Sequence, residues 1–261
     1  TINYFNGQFD VLIIGKVLGS EVVGVYNIAK QLVMRPAAII NPVITRVTFP
    51  AMAKIQNDER RLKRAYLKTL NYLSSINFLV YAGIFVLAPE VITIFFGKGW
   101  NDAVGVLRIL CVFASFRATG NPVGSLILAK GLASLGFFWN LALLIIIPTV
   151  VFIGSLWGVY GVCWALVGLS VFLIVPNWRI QVYPLCKAKF YEYHQQIFVP
   201  LIIAVISGGC AYLTIRNVSG IFPRILIAAL VGLGGGLILN WILNREFLKS
   251  LLELAFKRKT K

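Results

Sequence analysis

One acidic and five basic side chains lie within stretches of the sequence that are otherwise apolar. The acid is Asp10, and the bases are Lys30, Arg35, Arg46, Arg108 and Arg117. A charged side chain at the centre of a bilayer costs at least about 2.5–3.5 kcal/mol, so each one needs a partner or a watery cavity. One carboxylate cannot neutralise five cations. The sequence therefore predicts a cationic site, whose guanidinium groups suit a phosphate through paired hydrogen bonds.

The depth of each charge within its apolar stretch separates the informative charges from the ordinary ones. Arg46 lies near one end of its stretch, and Arg108 lies six residues after Asp102, so both can extend to the aqueous surface. The other four lie deeper and are candidates for a binding or charge-paired site: Asp10, Arg35 and Arg117 near mid-depth, and Lys30 at intermediate depth.

Two asparagines that precede prolines extend this set. Asn41 is eleven residues from Lys30, which places both within about 20° on one helical face, and Asn121 is four residues from Arg117. Each following proline frees a backbone carbonyl, and breaks of this kind at membrane depth usually line a cavity. The alternative is a packing kink sealed by neighbouring helices. The predicted binding residues are Asp10, Lys30, Arg35, Asn41, Arg117 and Asn121, a set that suits an anionic ligand rich in hydroxyl groups.

Side chains that could support catalysis or hold a metal are few. The single histidine, His194, lies in a predicted solvated loop, and the sequence has none of the common hydrolase, phosphate-loop or paired-acid motifs. The four cysteines are widely spaced, which predicts no disulfide or metal framework. Cys186 is predicted to be a loop thiol and the other three to be small hydrophobic residues buried in the membrane. We therefore expect a protein that is not an enzyme and that uses no cofactor or metal.

The composition indicates which elements must position these residues. Of 261 residues, 59% are apolar and 13% are charged, whereas soluble domains average about 45–50% and 25%. The fold class predicted is an all-α, polytopic membrane protein of about eight transmembrane helices. The predicted spans are residues 4–19, 22–53, 67–88, 102–128, 132–154, 158–183, 196–215 and 221–243.

The distribution of the basic residues predicts the orientation. The net charge of +16 does not indicate a nucleic-acid partner, because the cations form short runs between apolar stretches. Sixteen Lys and Arg residues lie in or next to the loops after even-numbered spans and in the tail, and four lie in or next to the opposite loops. By the positive-inside rule both ends of the chain are cytoplasmic. Residues 89–100 are predicted to lie at the outer membrane surface, and residues 245–261 to form a basic amphipathic helix on the cytoplasmic surface.

Several motifs resemble those of a known family. They are Asn6-Gly7-Gln8-Phe9-Asp10 with the following residues to Gly19, Gly24-Val25-Tyr26-Asn27, Arg35-Pro36, Asn41-Pro42, Phe49-Pro50, Phe96-Gly97, Trp100 and Gly120-Asn121-Pro122. Together they resemble the Wzx-type polysaccharide flippases of the multidrug/oligosaccharidyl-lipid/polysaccharide exporter superfamily, above all the colanic-acid and teichuronic-acid branch. The resemblance covers residues 3–190 and is most specific over residues 3–56.

The resemblance implies the C-terminal half of a two-lobe exporter. Residues 1–190 would form the transport lobe, residues 191–244 two additional peripheral helices, and residues 245–261 the cytoplasmic tail. An N-terminal lobe of the same protein would be a further partner. The implied function is transport of an oligosaccharide repeat unit linked to undecaprenyl pyrophosphate, from the cytoplasmic to the outer leaflet of a bacterial inner membrane. Arg35 and Arg117 would contact the pyrophosphate.

Other functions remain open at this stage. A peptidoglycan-precursor flippase or another exporter of the same superfamily would share the architecture, although exporters of organic cations need acidic cavities. A membrane-bound polymerase or acyltransferase of envelope sugars would need a catalytic residue, for which the sequence offers no acid pair or histidine cluster. A scaffold without transport activity would not need the cationic site.

The predicted topology can be tested by cysteine-accessibility labelling. Single cysteines introduced at Asp58 and Lys98 should be labelled from opposite sides of the membrane, because the two positions lie in loops of opposite predicted orientation. Labelling of both positions from the same side would contradict the predicted topology.

Overall fold

The apolar stretches of this chain fold into helices, because a backbone surrounded by lipid must satisfy its hydrogen bonds internally. The computed structural model describes residues 7–244, and this part of the chain contains no β-strand. The longer helices are α1 (Phe9–Leu18), α2 (Ser20–Lys54), α3 (Glu59–Val86), α4 (Ala88–Phe96), α5 (Ala103–Thr119), α6 (Pro122–Ala129), α7 (Ala133–Ser155), α8 (Gly158–Phe172), α11 (Phe190–Ile215) and α12 (Ile221–Leu243). Short elements complete the described chain: a 3₁₀ turn (Lys98–Trp100), α9 (Ile174–Asn177), a π-helical turn (Trp178–Val182) and α10 (Tyr183–Cys186).

Six helical segments within residues 7–244 are long and apolar enough to cross a membrane. They are Glu59–Val86, Ala103–Ala129, Ala133–Ser155, Gly158–Cys186, Phe190–Ile215 and Ile221–Leu243. They correspond to the third to eighth predicted spans, and an all-α polytopic membrane protein is confirmed. The first two predicted spans are also helical, but α1 has ten residues, or about 15 Å. The 35-residue α2 carries Lys30, Arg35 and Arg46 in its interior, so crossing by these two helices stays a prediction.

Two helices begin earlier than the sequence analysis predicted. The polar run 56–64 was expected to be a loop, but α3 starts at Glu59, because the Asp58 carboxylate accepts a hydrogen bond from the Arg61 backbone N–H (3.0 Å) and caps the helix. Likewise α11 starts at Phe190 instead of residue 196. Its first turn is held by the Glu192 carboxylate, which accepts from the Lys189 backbone N–H at 2.7 Å.

Two side chains lie in environments other than those predicted. His194 is buried in the second turn of α11, where Nδ1 lies 2.7 Å from the Phe190 carbonyl oxygen, so the predicted solvated loop is wrong. Cys186 is buried at the end of α10, so the predicted loop thiol is wrong, whereas Cys210 lies on the exposed face of α11, a candidate membrane span. The early start of α11 explains the error for His194, since residues 190–195 of the predicted loop are helical and packed.

Helices α1 and α2 form a hairpin around Gly19. This residue has φ 91° and ψ 170°, a region of backbone conformation that is essentially restricted to glycine. The turn brings α1 back against α2, so that residues about equally distant from Gly19 on either side meet. The hairpin packs against α7 through α1 and against α5 through α2.

Helix α5 lies at the centre of the described chain and contacts α2, α3, α4 and α8. The apolar core around it includes the fully buried Val106, Leu107 and Leu110. A second core surrounds Tyr66, Leu126 and Tyr193, between α3, α6 and the start of α11. The position of α5 matters for function because Arg117 lies in its last turn.

The hairpin of α11 and α12 is attached to the preceding helices at both ends. At one end the Lys63 ammonium lies 2.8 Å from the Glu192 carboxylate. At the other end the Arg224 guanidinium lies 2.9 Å from Glu90, a carboxylate in α4 whose residue is only 3% exposed. The division between a lobe of residues 1–190 and peripheral helices 191–244 stays a prediction. The predicted amphipathic helix 245–261 lies outside the described residues.

The Arg224–Glu90 pair predicts a strong effect on stability. Arg224→Ala leaves a buried carboxylate without its cation, which costs about 3–5 kcal/mol. Arg61→Ala is the matched control, because the Arg61–Asp58 pair is exposed at 73% and 47%, and such pairs contribute about 0–1 kcal/mol. We expect thermal unfolding of the purified protein in detergent to show a lowered midpoint for Arg224→Ala alone.

A double variant tests the electrostatic origin of this effect. Replacing the buried carboxylate as well, in Glu90→Gln/Arg224→Ala, removes the unpaired charge and should restore part of the lost midpoint. If the double variant is less stable than Arg224→Ala, the cost does not come from a buried unpaired charge.

Candidate functional site

Asp10 is the centre of a buried charge cluster between α1 and α2. Its Oδ1 atom lies 2.6 Å from the Lys30 ammonium nitrogen, and the Tyr26 hydroxyl donates to Oδ2 at 2.6 Å. The Val11 backbone N–H also donates to Oδ1, at 2.8 Å. This cluster confirms the prediction that a basic side chain at similar depth neutralises Asp10.

The sequence produces this cluster through helix periodicity and the turn at Gly19. Asp10 precedes Gly19 by nine residues, and Tyr26 and Lys30 follow it by seven and eleven residues. Because Tyr26 and Lys30 are four residues apart, they lie on one face of α2, and the hairpin presents that face to α1. Lys30 also donates to the Gly7 carbonyl oxygen, which ties the start of the described chain to the same cluster.

Arg117 lies near this cluster but has no carboxylate partner among residues 7–244. Its guanidinium carbon lies 5.8 Å from the centre of the Phe113 ring, and its side chain is exposed to a cavity. Lys30 is within electrostatic range of Arg117. Since the charge of Lys30 is already offset by Asp10, the three charges sum to a positive site, and Arg117 supplies the uncompensated cation.

The span that carries Arg117 is broken immediately after it. Helix α5 ends at Thr119, Gly120 and Asn121 form a turn, and α6 begins at Pro122. Pro122 has no N–H to offer the Ala118 carbonyl oxygen four residues earlier. That oxygen accepts instead from the Asn41 side-chain amide at 3.1 Å and from the Asn121 backbone N–H at 3.3 Å. The predicted break at Asn121-Pro122 is confirmed, whereas the break expected at Asn41-Pro42 is wrong, since α2 continues as a helix through Pro42.

The other predicted residues divide into inward-facing and exposed positions. Asn41 is buried between helices and accepts from the Asn77 amide at 3.1 Å, so its side-chain amide is occupied by protein on both sides. Arg35 and Arg46 are exposed on α2, on the face opposite to Lys30 and Asn41. The structure thus brings together Asp10, Lys30, Arg117 and Asn121, whereas Asn41 and Arg35 lie outside the cavity that Arg117 lines.

This cavity has a volume of about 750 Å³ and lies between α1, the α5–α6 break, α7, α8 and the start of α11. Asp10, Arg117 and Asn121 line it. Sequence reasoning missed several further polar lining residues, among them Asn140, Asn177, Gln181 and Tyr193. Two signals were available for them: amides are rare in apolar spans, and Asn177 and Gln181 are four residues apart. Tyr193 was missed because it precedes residue 196, the predicted start of this span, and so was assigned to a loop.

The chemistry of the cavity is that of binding. Within residues 7–244, no group of three or more His, Cys, Asp and Glu side chains could hold a metal ion. The only carboxylate that lines the cavity in this part of the chain is that of Asp10, which Lys30 and Tyr26 already occupy. A guanidinium beside side-chain amides and aromatic rings is a set that could hold an anionic, polyhydroxylated molecule.

Comparison with known proteins gives a consistent set of relatives. Residues 1–105 match the family model described as "Polysaccharide biosynthesis protein". The lipopolysaccharide biosynthesis protein WzxC of Escherichia coli (strain K12) is 32% identical over 205 residues, which are 78% of this chain and 42% of that protein. The teichuronic acid biosynthesis protein TuaB of Bacillus subtilis (strain 168) is 30% identical over 213 residues, 81% of this chain and 44% of that protein.

A more distant relative covers nearly the whole chain. The succinoglycan biosynthesis transport protein ExoT of Rhizobium meliloti (strain 1021) is 21% identical over 266 residues, which are 98% of this chain and 53% of that protein. No solved structure matches the chain. The chain spans less than half the length of the WzxC and TuaB proteins.

The contact between Asn41 and the helix break generates a stability prediction. Asn41→Ala leaves the Asn77 amide unpartnered and removes one donor from the Ala118 oxygen, which should cost about 1–3 kcal/mol. In a Pro122→Ala background, residue 122 regains an N–H that can donate to the same oxygen. The cost of Asn41→Ala, measured by thermal unfolding in detergent, should therefore be smaller there. An equal cost in both backgrounds would show that Asn41 does not compensate for Pro122.

Proposed function

We propose that this chain, which belongs to the Wzx-type family of polysaccharide flippases, forms part of a transporter for a lipid-linked oligosaccharide. The cargo in this proposal is an oligosaccharide repeat unit joined to undecaprenyl pyrophosphate. The protein moves it from the cytoplasmic to the outer leaflet of the bacterial inner membrane, for the synthesis of a surface polysaccharide. Both ends of the chain are cytoplasmic in this proposal.

The observation that carries the proposal is the uncompensated Arg117 in a 750 Å³ cavity. A guanidinium forms paired hydrogen bonds with phosphate oxygens, and the attraction is stronger in a region of low dielectric constant than in water. Placing an anion there compensates the charge of Arg117. The pyrophosphate thus supplies the countercharge that Asp10 cannot, while the isoprenoid chain stays in the lipid.

The rest of the transport path comes from outside this chain in the proposed arrangement. The chain matches less than half of the length of WzxC and of TuaB. We therefore assign the second lobe to a part of the full protein that corresponds to the unmatched length of these relatives. The exposed face of α2, with Arg35 and Arg46, would then face the space between the lobes, where Arg35 meets the pyrophosphate in one of the two alternating states.

A peptidoglycan-precursor flippase is the main alternative, since its cargo presents the same pyrophosphate and sugar chemistry. The names of the relatives, which refer to lipopolysaccharide, teichuronic acid and succinoglycan, favour a surface polysaccharide. An exporter of organic cations is disfavoured by the positive charge of the Asp10, Lys30 and Arg117 group. A polymerase or acyltransferase is disfavoured because Asp10 is the only carboxylate lining the cavity within residues 7–244 and is already paired.

Substitution of Arg117 tests the proposal in cells. In a strain that lacks its own flippase, the full gene product carrying Arg117→Ala should restore at least about tenfold less surface polysaccharide than the wild type, since a charged hydrogen bond contributes about 1.5–3 kcal/mol. Arg117→Lys keeps the charge and loses the planar fork, so it should be intermediate. Polysaccharide is measured per amount of protein in the membrane.

Arg108→Ala is the matched control on the same helix. Arg108 donates to the Phe85 carbonyl oxygen and does not line the cavity, so its loss should leave export near the wild-type level. Full export by Arg117→Ala would contradict the proposed role, and an equal loss in the two alanine variants would assign the effect to the structure of α5.

A further inference from the structure

The side chains that line the cavity change in character from one end to the other. Helix α8 and its continuation contribute Leu166, Leu169 and Leu173 and then Asn177 and Gln181, so apolar contacts give way to amides along one face. The leucines form the apolar end of the cavity. The opposite end, formed by Asn177, Gln181 and Tyr193, is called the amide end below.

The amide end lies on the side that the sequence places in the cytoplasm. Gln181 and Tyr193 flank the connection that contains Lys187 and Lys189, and the cavity also reaches Ala133, just after Lys130. These lysines belong to the loops counted as cytoplasmic by the positive-inside rule. A headgroup that enters from the cytoplasm therefore meets the amide end first, with Arg117 deeper in the bilayer.

The three side chains form a directed chain of hydrogen bonds. The side-chain amide N–H of Gln181 donates to the side-chain oxygen Oδ1 of Asn177 at 2.8 Å. The side-chain amide N–H of Asn177 donates to the Tyr193 hydroxyl at 3.4 Å. This direction leaves an acceptor, Gln181 Oε1, at one end and a donor, the Tyr193 O–H, at the other. Gln181 Oε1 has no hydrogen-bond partner within residues 7–244, and the Tyr193 hydroxyl accepts from Asn177 but donates to no group there. The amide end therefore presents one acceptor and one donor.

The backbone holds these groups rigidly. Gln181 and Tyr193 are only 3% and 1% exposed, and Gln181 belongs to the π-helical turn Trp178–Val182. Such turns are uncommon and often occur at functional sites. The turn is anchored by the Trp178 indole N–H, which donates to the Ala188 carbonyl oxygen at 2.9 Å. The side chains of the amide end are thus oriented before any ligand arrives, which lowers the entropic cost of binding.

We infer that the amide end is the subsite for the sugar nearest the pyrophosphate, an inference that rests on the proposed function. A sugar ring offers hydroxyl groups that both donate and accept, which matches the two open ends of the chain. The aromatic rings of Phe116 and Trp139 line the same cavity and supply apolar surface for the ring faces. Cavities of about 300–1,000 Å³ hold small organic ligands, so this one encloses part of a repeat unit and not the whole.

The test compares two probes on the purified full gene product in lipid nanodiscs. One probe is undecaprenyl pyrophosphate, and the other is the lipid-linked oligosaccharide extracted from cells of the source strain in which export is blocked. Affinities are measured by titration calorimetry. Gln181→Leu and Tyr193→Phe should each weaken binding of the oligosaccharide lipid about tenfold, the loss expected for one or two hydrogen bonds. Binding of undecaprenyl pyrophosphate should be unchanged, which also shows that each variant is folded.

Gln196→Leu is the matched control. Gln196 lies on α11 as Tyr193 does and accepts from the Asn71 amide at 2.9 Å, but it does not line the cavity. It should bind both probes as the wild type does. The sugar subsite would be overturned if Gln181→Leu and Tyr193→Phe weakened the binding of both probes equally. It would also be overturned if they weakened the binding of neither probe.

The same titrations distinguish a failure of the sugar subsite from a failure of the proposed function. Arg117→Gln should weaken both probes, because both carry the pyrophosphate. If it weakens both while Gln181→Leu and Tyr193→Phe have no selective effect, only the sugar subsite is wrong. If Arg117→Gln leaves both affinities unchanged, or the wild type binds neither probe, the proposed function fails and the subsite with it.

Discussion

The ion pair between Asp10 and Lys30 is the interaction on which the rest of the site depends. A carboxylate inside an apolar helical bundle is tolerated only with a partner, and the hairpin at Gly19 supplies that partner at 2.6 Å, with Tyr26 on the second oxygen. Because both oxygens of the carboxylate already accept hydrogen bonds and its charge is offset by Lys30, it does not neutralise Arg117. The pairing of two charges thus determines that the third remains free to meet a ligand.

A second constraint acts on the helix that carries Arg117. Pro122 prevents a continuous span, and the turn at Gly120 and Asn121 opens the wall of the cavity next to the guanidinium. The cost of the break is reduced by Asn41, which donates to the Ala118 oxygen. A polar residue of α2 therefore stabilises an irregular backbone in α5, and the irregular backbone in turn shapes the ligand space.

Much of this arrangement follows from the sequence. Hydropathy predicted six spans that the structure contains, and the cost of buried charge predicted that Asp10 is paired. Periodicity placed Lys30 and Asn41 on one face of α2, and in the structure Arg35 and Arg46 are exposed on the opposite face. Periodicity cannot choose between a ligand and a neighbouring helix, so Asn41 and Arg35 were grouped with Arg117 although they lie elsewhere. The positions of Tyr193 and Gln181 in the cavity could not be predicted in this way. Tyr193 is positioned by the start of α11, which a contact of Glu192 stabilises, and Gln181 by the π-helical turn, which a contact of Trp178 stabilises.

The most direct test of the account is a cryo-electron microscopy structure of the full gene product with undecaprenyl pyrophosphate. The account predicts phosphate density about 2.7–2.9 Å from the Arg117 guanidinium nitrogens, with the Asp10–Lys30 pair intact beside it. Phosphate bound elsewhere, with Arg117 turned toward an acidic side chain, would contradict the claim that this arginine is the uncompensated charge that receives the cargo.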